Sequence, residues 1–281
     1  MRPGRGFPVA LVLAGALIAL GLCTSPALAL EERAQQGPTS ATLSYDRHGD
    51  SFRNVRLAIS RGGAVRVNSR LSSICRFCQV WPAGVASKRS LRVLDLDADG
   101  EPEVLVDLFT GGAHCCFYSH VYSYRPATGG YARATRNWRD PGYRLVDLDG
   151  NGRPEFRSAD GRFAYAFTSF ADSVFPIQIW RFKGTSFSDV TRRFRADIRR
   201  DARRRWHQYG RYRRGRREVR GVLAAYLADK YLLGEQRSGW QQLRLEQRRG
   251  RLRARFGERP RSSAGYLRAL HRFLRRLGYA R

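Results

Sequence analysis

Acidic side chains at alternating positions are the clearest chemical signal in this 281-residue chain. The stretch DLDADGEPE, residues 95–103, places carboxylates at its first, third and fifth positions, ahead of a glycine. In a tightly curled loop these side chains converge on one point, and Gly100 permits the positive φ that turns the chain. The carbonyl of the seventh position and the carboxylate of the ninth can supply further oxygens. Hard oxygen ligands at this density suit calcium.

The acidic pattern occurs twice. VLDLDADGEPEV around Asp95 returns 52 residues later as LVDLDGNGRPEF around Asp147. A repeat at this period indicates one supersecondary unit copied along the chain. An EF-hand is excluded, because its bidentate Glu at the twelfth position is replaced here by Val106 and Ser158. Asp, Asn and Gly are also common in ordinary hairpin turns, but two copies in register favour calcium over that alternative.

Both loops resemble the calcium-binding hairpins of FG-GAP or VCBS-type repeats, the units of integrin-like β-propeller blades. The resemblance covers residues 91–125 and 143–182. With the GGAHCC stretch at 111–116, the chain also resembles secreted bacterial proteins of no assigned activity. The family resemblance implies one calcium ion in each loop. The implied ligands are Asp95, Asp97, Asp99, Glu103 and the Glu101 carbonyl in the first loop, and Asp147, Asp149, Asn151, Glu155 and the Arg153 carbonyl in the second.

The N-terminal segment predicts export. Arg2 and Arg5 precede an apolar run over residues 9–22, and the small-residue sequence that ends at Ala29 follows. This pattern is typical of a secretory signal peptide over residues 1–29, and the run is shorter than the roughly 20 apolar residues of a membrane span. We therefore expect a secreted or extracytoplasmic, cell-surface-associated protein without a transmembrane segment after signal removal. A lipoprotein signal ending at Cys23 is the alternative, although Leu22 fits it poorly.

The cysteines beyond the signal form an even set, which predicts disulfides in an oxidising compartment. They are Cys75, Cys78, Cys115 and Cys116. Of the three possible pairings, we expect links from the first two to the last two, because a bridge between adjacent residues is strained. The alternative is a zinc site that combines these cysteines with His114.

Hydrophobic periodicity divides the mature chain into two parts. Residues 30–40 are polar and predict a flexible lead-in. Residues 41–188 contain short apolar runs separated by Gly, Asp and Asn, which predicts antiparallel hairpins. Over residues 189–281 the period changes to about 3.6, which predicts helices. The expected fold class is α+β, with propeller-blade-like antiparallel hairpins followed by a basic all-helical C-terminal domain that proteolysis should separate near residues 185–190.

Glycines and serines predict the helix boundaries. We expect the first helix to end at Gly210, with a loop over residues 211–220. The second should end at Gly234, and the third should begin at Ser262 or Ser263 and end at Gly278.

Positive charge is concentrated in the helical part. Residues 181–281 hold 31 Arg or Lys and 8 Asp or Glu, so they carry +23 of the formal +28 charge. Such a surface attracts polyanions, and outside the cell an anionic cell-surface polymer or lipid head groups are the expected partners. The alternative is that the arginines are only the solvated faces of amphipathic helices. The chain contains no motif for sequence-specific nucleic-acid binding.

No arrangement of residues in the sequence predicts catalysis. His114 beside two cysteines is expected to pack near the disulfides, and nucleophile elbows and nucleotide-binding glycine loops are missing. The sequence therefore predicts a secreted calcium-binding, disulfide-stabilised β-repeat protein that acts in binding or surface association. The alternative is a secreted metal-dependent hydrolase with a site of unrecognised type.

Overall fold

The front of the chain forms three antiparallel sheets in which successive strands pair. The computed structural model describes residue 1 and residues 28–85, 87–254 and 260–280. The first sheet has the order β1-β2-β3-β4. Its strands are β1 (Leu28–Gln36), β2 (Thr39–His48), β3 (Ser51–Arg61) and β4 (Ala64–Arg70). Side chains at every second position, such as Leu43, Leu57 and Ile59, are buried, as the two-residue period of a strand requires.

The second and third sheets each carry one acidic loop. The second sheet contains β5 (Trp81–Pro82), β6 (Leu91–Leu94), β7 (Glu103–Gly112), β8 (Cys115–Arg125) and β9 (Gly130–Arg139). The third contains β10 (Tyr143–Val146), β11 (Glu155–Ala159), β12 (Ile177–Lys183) and β13 (Ser186–Asp189). The first acidic loop connects β6 to β7, and the second connects β10 to β11. The register is the same at both, with Leu94 opposite Glu103 and Val146 opposite Glu155.

Helices follow the sheets, which confirms the α+β class. They are α1 (Arg195–Arg214), α2 (Arg220–Leu232), α3 (Gln236–Arg248) and α4 (Ser263–Arg276). As predicted, the Ser262 hydroxyl caps α4 by accepting the Gly265 N–H at 3.1 Å. Gly234 and Gly278 follow α2 and α4 with positive φ, as expected of glycines that end helices. None of the helices in the described ranges is both long and apolar enough to cross a membrane.

The predicted flexible lead-in over residues 30–40 is wrong. These residues belong to β1 and the start of β2, which pair over the whole length of β1. Because β1 is the edge strand of its sheet, it needs few apolar residues, and its polar composition hid the strand. The predicted signal peptide and Cys23 lie outside the described residues, apart from Met1 and the last two signal residues, which begin β1.

Two helix predictions also need correction. Gly210 does not end α1, which continues to Arg214, so the predicted loop over 211–220 shrinks to residues 215–219. One glycine in a helix interior costs only about 1 kcal/mol, and the buried Tyr209 beside it anchors the helix. The helix α3 was not among the individual helices predicted, because it is mostly Gln and Arg and places Leu243 as its one fully buried apolar side chain.

The sheets and helices share hydrophobic cores. Phe163 and Phe167, from the connection between β11 and β12, pack in one cluster with Leu223 of α2 and Leu270 of α4. A second cluster joins residues of β12 to α1. The change of secondary structure after Asp189 matches the predicted boundary, but these cores cross it. Separation of the two parts by proteolysis stays a prediction, and the shared cores argue against it.

His120 predicts a pH dependence of stability. Its Nε2 lies 3.2 Å from the Ser72 carbonyl, which can only accept, so Nε2 carries the proton and Nδ1 accepts from Thr135 at 2.8 Å. Burial lowers the pKa of His120 to about 4. Between that pKa and the unfolded value near 6.5 the unfolded chain binds the extra proton, so stability falls as the pH falls.

We expect His120 to lower the free energy of unfolding by about 2 kcal/mol at pH 5 relative to pH 7.5. Urea unfolding at both pH values should show this difference in the wild type and lose it in His120→Gln, whose amide does not titrate. An equal pH dependence in both proteins would assign the effect to other groups.

Candidate functional site

The first acidic loop brings its three alternating aspartates together, as predicted. One carboxylate oxygen from each of Asp95, Asp97 and Asp99 lies within 4.8 Å of the others. Asp95 Oδ2 accepts the Gly100 N–H at 2.9 Å, and Asp99 Oδ1 accepts the Glu101 N–H at 2.8 Å. Gly100 has φ +88°. These bonds and the positive φ curl the loop around the point that the carboxylates face.

Asp97 is the most deeply placed of these aspartates, with 6% of its surface exposed. Its Oδ2 accepts the N–H of Gly184, in the turn between β12 and β13, at 2.7 Å. The first loop therefore contacts the third sheet directly. The Oδ1 atoms of Asp97 and Asp95 are buried without a hydrogen-bond partner. A buried carboxylate oxygen without a partner costs free energy of folding. A cation bound to these two oxygens would offset that cost.

Glu103 lies against the same loop and is 2% exposed. Its Oε2 accepts the Leu96 N–H at 2.9 Å. Burial, reinforced by the charges of Asp97 and Asp99, raises the pKa of Glu103 to about 8. Within the described residues, none of the four predicted carboxylate ligands of this loop forms an ion pair, whereas the Glu101 side chain pairs with Arg61.

The second acidic loop uses more of its oxygens internally. Asp147 accepts the N–H groups of Gly150, Asn151 and Gly152 at 2.8 to 3.1 Å. These bonds, the one from Gly152 first, lower the pKa of Asp147. The Asn151 side-chain oxygen accepts the Arg153 N–H at 2.9 Å. Oxygens of Asp147, Asp149 and Glu155 still cluster within 4.8 Å, so the structure brings these predicted ligands together as well.

An arginine pairs with two of the three carboxylates of the second loop. Arg181 of β12 places Nη2 3.0 Å from Asp149 Oδ2 and Nε 2.9 Å from the Oε1 of the fully buried Glu155. We call Arg181 with Asp149 and Glu155 the arginine latch. Sequence reasoning missed Arg181, because it is separated from the loop along the chain and only strand pairing brings it there.

Strand register identifies the residue that takes the place of Arg181 at the first loop. Continued by one step, the β11–β12 register places Arg181 opposite Glu155. The same step in the β7–β8 register places the buried Ser123 opposite Glu103. The two loops therefore share strand pairing and three of their four acidic positions. They differ at the fifth loop position, Asp99 or Asn151, and in the facing side chain, which is a neutral hydroxyl in the first loop and a cation in the second.

The cysteines pair differently from the prediction. The disulfides join Cys75 to Cys78 and Cys115 to Cys116, so the expected long-range links are wrong. The Cys78 N–H donates to the Cys75 carbonyl at 3.3 Å, and Cys115 and Cys116 are the first two residues of β8. His114 packs against the ring of Phe170, with centroids 4.2 Å apart, rather than joining a cysteine metal site.

Many arginines of the helical part have structural roles. Arg204 and Arg205 pair with the buried Asp201 within α1. Arg220 is fully buried and donates to the carbonyls of Leu252 and Arg261. Other arginines on these helices are exposed. Attraction of this surface to an anionic cell-surface polymer or lipid head groups stays a prediction.

Comparisons with known proteins find similarity over part of the chain. Residues 198–278 match the model of the sll0997 C-terminal domain family. The chain is 33% identical over 155 residues to the probable thylakoid lumen protein sll0997 of Synechocystis, covering 54% of this chain and 46% of the relative. It is 31% identical over 154 residues to the uncharacterised protein y4bJ of Sinorhizobium fredii, covering 53% of this chain and 24% of the relative. The chain thus spans less than half the length of these relatives. No solved structure matches it.

Proposed function

We propose that this chain is an extracytoplasmic β-repeat protein that binds one calcium ion in its first acidic loop and acts in binding or surface association. Two observations carry the proposal together: the Oδ1 atoms of Asp95 and Asp97 are buried and unpartnered, and one carboxylate oxygen from each of Asp95, Asp97 and Asp99 lies within 4.8 Å of the others. A set of carboxylate oxygens without a neighbouring cation suits a hard divalent ion. The ligands would be those three aspartates, Glu103 and the Glu101 carbonyl.

We propose that the second loop holds no ion under the same conditions. Asp149 and Glu155 already pair with the Arg181 guanidinium. Side-chain oxygens of Asp147 and Asn151 accept hydrogen bonds from N–H groups of the loop itself. Arg181 supplies the positive charge that calcium would supply in the first loop. The resemblance to FG-GAP and VCBS-type hairpins then applies to both loops in shape and to the first in ion binding.

The ion would act on architecture rather than on a reaction. Asp97 bonds the turn between β12 and β13 through one oxygen and leaves the other for the ion. Calcium would therefore fix the first loop while that loop holds the second and third sheets together. The successive antiparallel sheets support a propeller-blade-like arrangement of repeats. The similarity to a probable thylakoid lumen protein of Synechocystis supports a location outside the cytoplasm.

Calcium should raise the melting temperature of the purified protein relative to a chelator. Extracellular modules bind calcium with dissociation constants of about 0.1–1 mM, and a tenfold excess over that value adds about 1.4 kcal/mol of stability. Calorimetric titration should give one site per chain. Asp97→Asn should remove both effects, because it replaces a ligand charge and keeps the side-chain shape. Asp149→Asn is the matched control and should keep both.

Two outcomes would overturn this proposal. One is a melting temperature that calcium and chelator leave equal in the wild type. The other is an Asp97→Asn protein that binds calcium as tightly as the wild type. The ion would then bind elsewhere, and the first loop would be an ordinary polar turn.

A further inference from the structure

A polar cavity of about 480 Å³ lies between the second and third sheets, away from the acidic loops. The edge strand β9 forms one wall, β11 and β12 form the other, and Leu277 after α4 closes one end. Uncharged polar side chains line it, including those of Asn137, Ser158 and Gln178. Its volume falls in the range of small-molecule sites, about 300–1,000 Å³.

Arg136 is the unusual residue of this cavity. Its guanidinium carbon stacks 3.3 Å from the ring centroid of Trp180, and its Nε is buried without a hydrogen-bond partner. It forms no ion pair within the described part of the chain. Burial lowers its pKa to about 10, and the neighbouring Arg162 and Arg139 act in the same direction, while Asp189 and Asp160 oppose them. A half-buried guanidinium of this kind is held in place by the ring but not neutralised.

The two acids that line the cavity, Asp160 and Asp189, already accept hydrogen bonds from other residues. Asp160 accepts from Arg162 Nε at 2.8 Å and from the Tyr279 hydroxyl at 3.0 Å. Asp189 accepts the N–H and the hydroxyl of Thr191. Arg139, like Arg136, has no ion-pair partner among the described residues. The cavity therefore presents two guanidinium groups without an ion-pair partner, a third that is paired with Asp160, and the single carboxylate of Asp189, so its lining keeps a net positive charge.

We propose that this cavity binds a small hydroxylated anion through its phosphate or carboxylate group, with Arg136 and Arg139 as the anion-binding residues. The planar guanidinium offers parallel N–H donors that match both groups in a bidentate manner. Stacking on Trp180 fixes the plane of Arg136, so little side-chain freedom is lost on binding. The amide and hydroxyl lining suits a hydroxylated body better than an apolar one. This inference does not depend on the calcium proposal.

Inorganic phosphate, glucuronate and neutral glucose are the probes. Calorimetry and thermal melting at constant ionic strength, with chloride as the reference anion, should show binding of phosphate or glucuronate and none of glucose. The anion that binds more tightly identifies whether the cavity prefers a phosphate or a carboxylate group. Arg136→Gln should weaken that binding about tenfold or more, since a charge-assisted hydrogen bond is lost. Arg136→Lys should recover only part, because it keeps the charge and loses the planar donors.

Arg66→Gln is the matched control. Arg66 is exposed on β4, so the substitution removes the same charge at a site away from the cavity. Its affinity should equal that of the wild type. Arg139→Gln, at an exposed side chain, tests the cavity if Arg136 variants unfold, and it should weaken binding as well. Equal melting temperatures in phosphate, glucuronate and chloride would overturn the proposal. So would equal loss of affinity in Arg66→Gln and Arg136→Gln, which would indicate a general charge effect.

Discussion

Ser123→Arg should abolish calcium binding at the first acidic loop, and Arg181→Ser should create a calcium site at the second. The exchange follows from register, because these two side chains face Glu103 and Glu155 at equivalent positions. An arginine at 123 would place its guanidinium beside Glu103 and repel a divalent ion in the same loop. Unit charges about 4 Å apart interact by about 4 kcal/mol at an effective dielectric constant of 20, so the affinity should fall more than about 100-fold.

The opposite variant should make stability depend on calcium at the second loop. Arg181→Ser leaves the buried Glu155 without its cation, which typically costs about 3–5 kcal/mol when one partner of a buried pair is removed. Arg181 is 19% exposed at its side chain, so we expect the lower end of that range in a chelator. Calcium should restore part of the loss and add a second site in calorimetric titration.

Matched controls separate charge from shape in this exchange. Ser123→Ala removes the hydroxyl without adding charge and should keep the calcium affinity of the first loop. Arg153→Ser removes an exposed positive charge from the second loop without touching the latch and should create no site. If Ser123→Arg still binds calcium as the wild type does, the facing side chain does not decide which loop takes the ion. A calcium-insensitive Arg181→Ser protein would refute the same idea from the other loop.

The residues of the acidic loops could be predicted from the sequence because their spacing is local. Asp95, Asp97 and Asp99 converge through hydrogen bonds within their own turn, and no distant residue is needed for that. The latch could not be predicted in the same way. Arg181 reaches Asp149 only because β11 and β12 pair, and the connection between them is longer than the corresponding turn between β7 and β8.

Edge position and helix composition explain the fold features that the sequence did not predict. β1 has a polar pattern because only one side of it is paired, and α3 needs just one fully buried apolar side chain to dock. The disulfide prediction was wrong because it assumed long-range links, whereas each cysteine pairs with a neighbour in the sequence, at separations of 3 and 1. The boundary after Asp189 was predictable because the hydrophobic period changes there, whereas the shared core around Phe163 and Phe167 leaves no such signal.

Asp107→Ala should lower the free energy of unfolding by about 3–5 kcal/mol, the largest single loss that we expect. Asp107 is fully buried in the middle of β7. It accepts from Arg92 Nη2 of β6 at 2.7 Å, from Ser119 Oγ of β8 at 2.6 Å and from the Tyr143 hydroxyl of β10 at 2.8 Å. Its removal leaves the Ser119 and Tyr143 hydroxyls without this acceptor and Arg92 without its counter-charge inside the junction of the second and third sheets. Urea unfolding should show the loss, with the exposed Asp50→Ala near the wild-type value.

The raised pKa of Asp107 predicts how a double variant, Asp107→Ala with Arg92→Met, compares with Asp107→Ala alone. Burial raises this pKa in spite of the opposing effect of Arg92, so the ion pair does not fully offset the desolvation of the carboxylate. The large loss in Asp107→Ala should therefore come mainly from the stranded Arg92 and not from the absence of a strong pair. Adding Arg92→Met to Asp107→Ala should then recover part of the lost stability, because the unpaired charge goes with it. A double variant less stable than Asp107→Ala would show that Arg92 stabilises the junction without Asp107, through its contact with the Tyr143 hydroxyl.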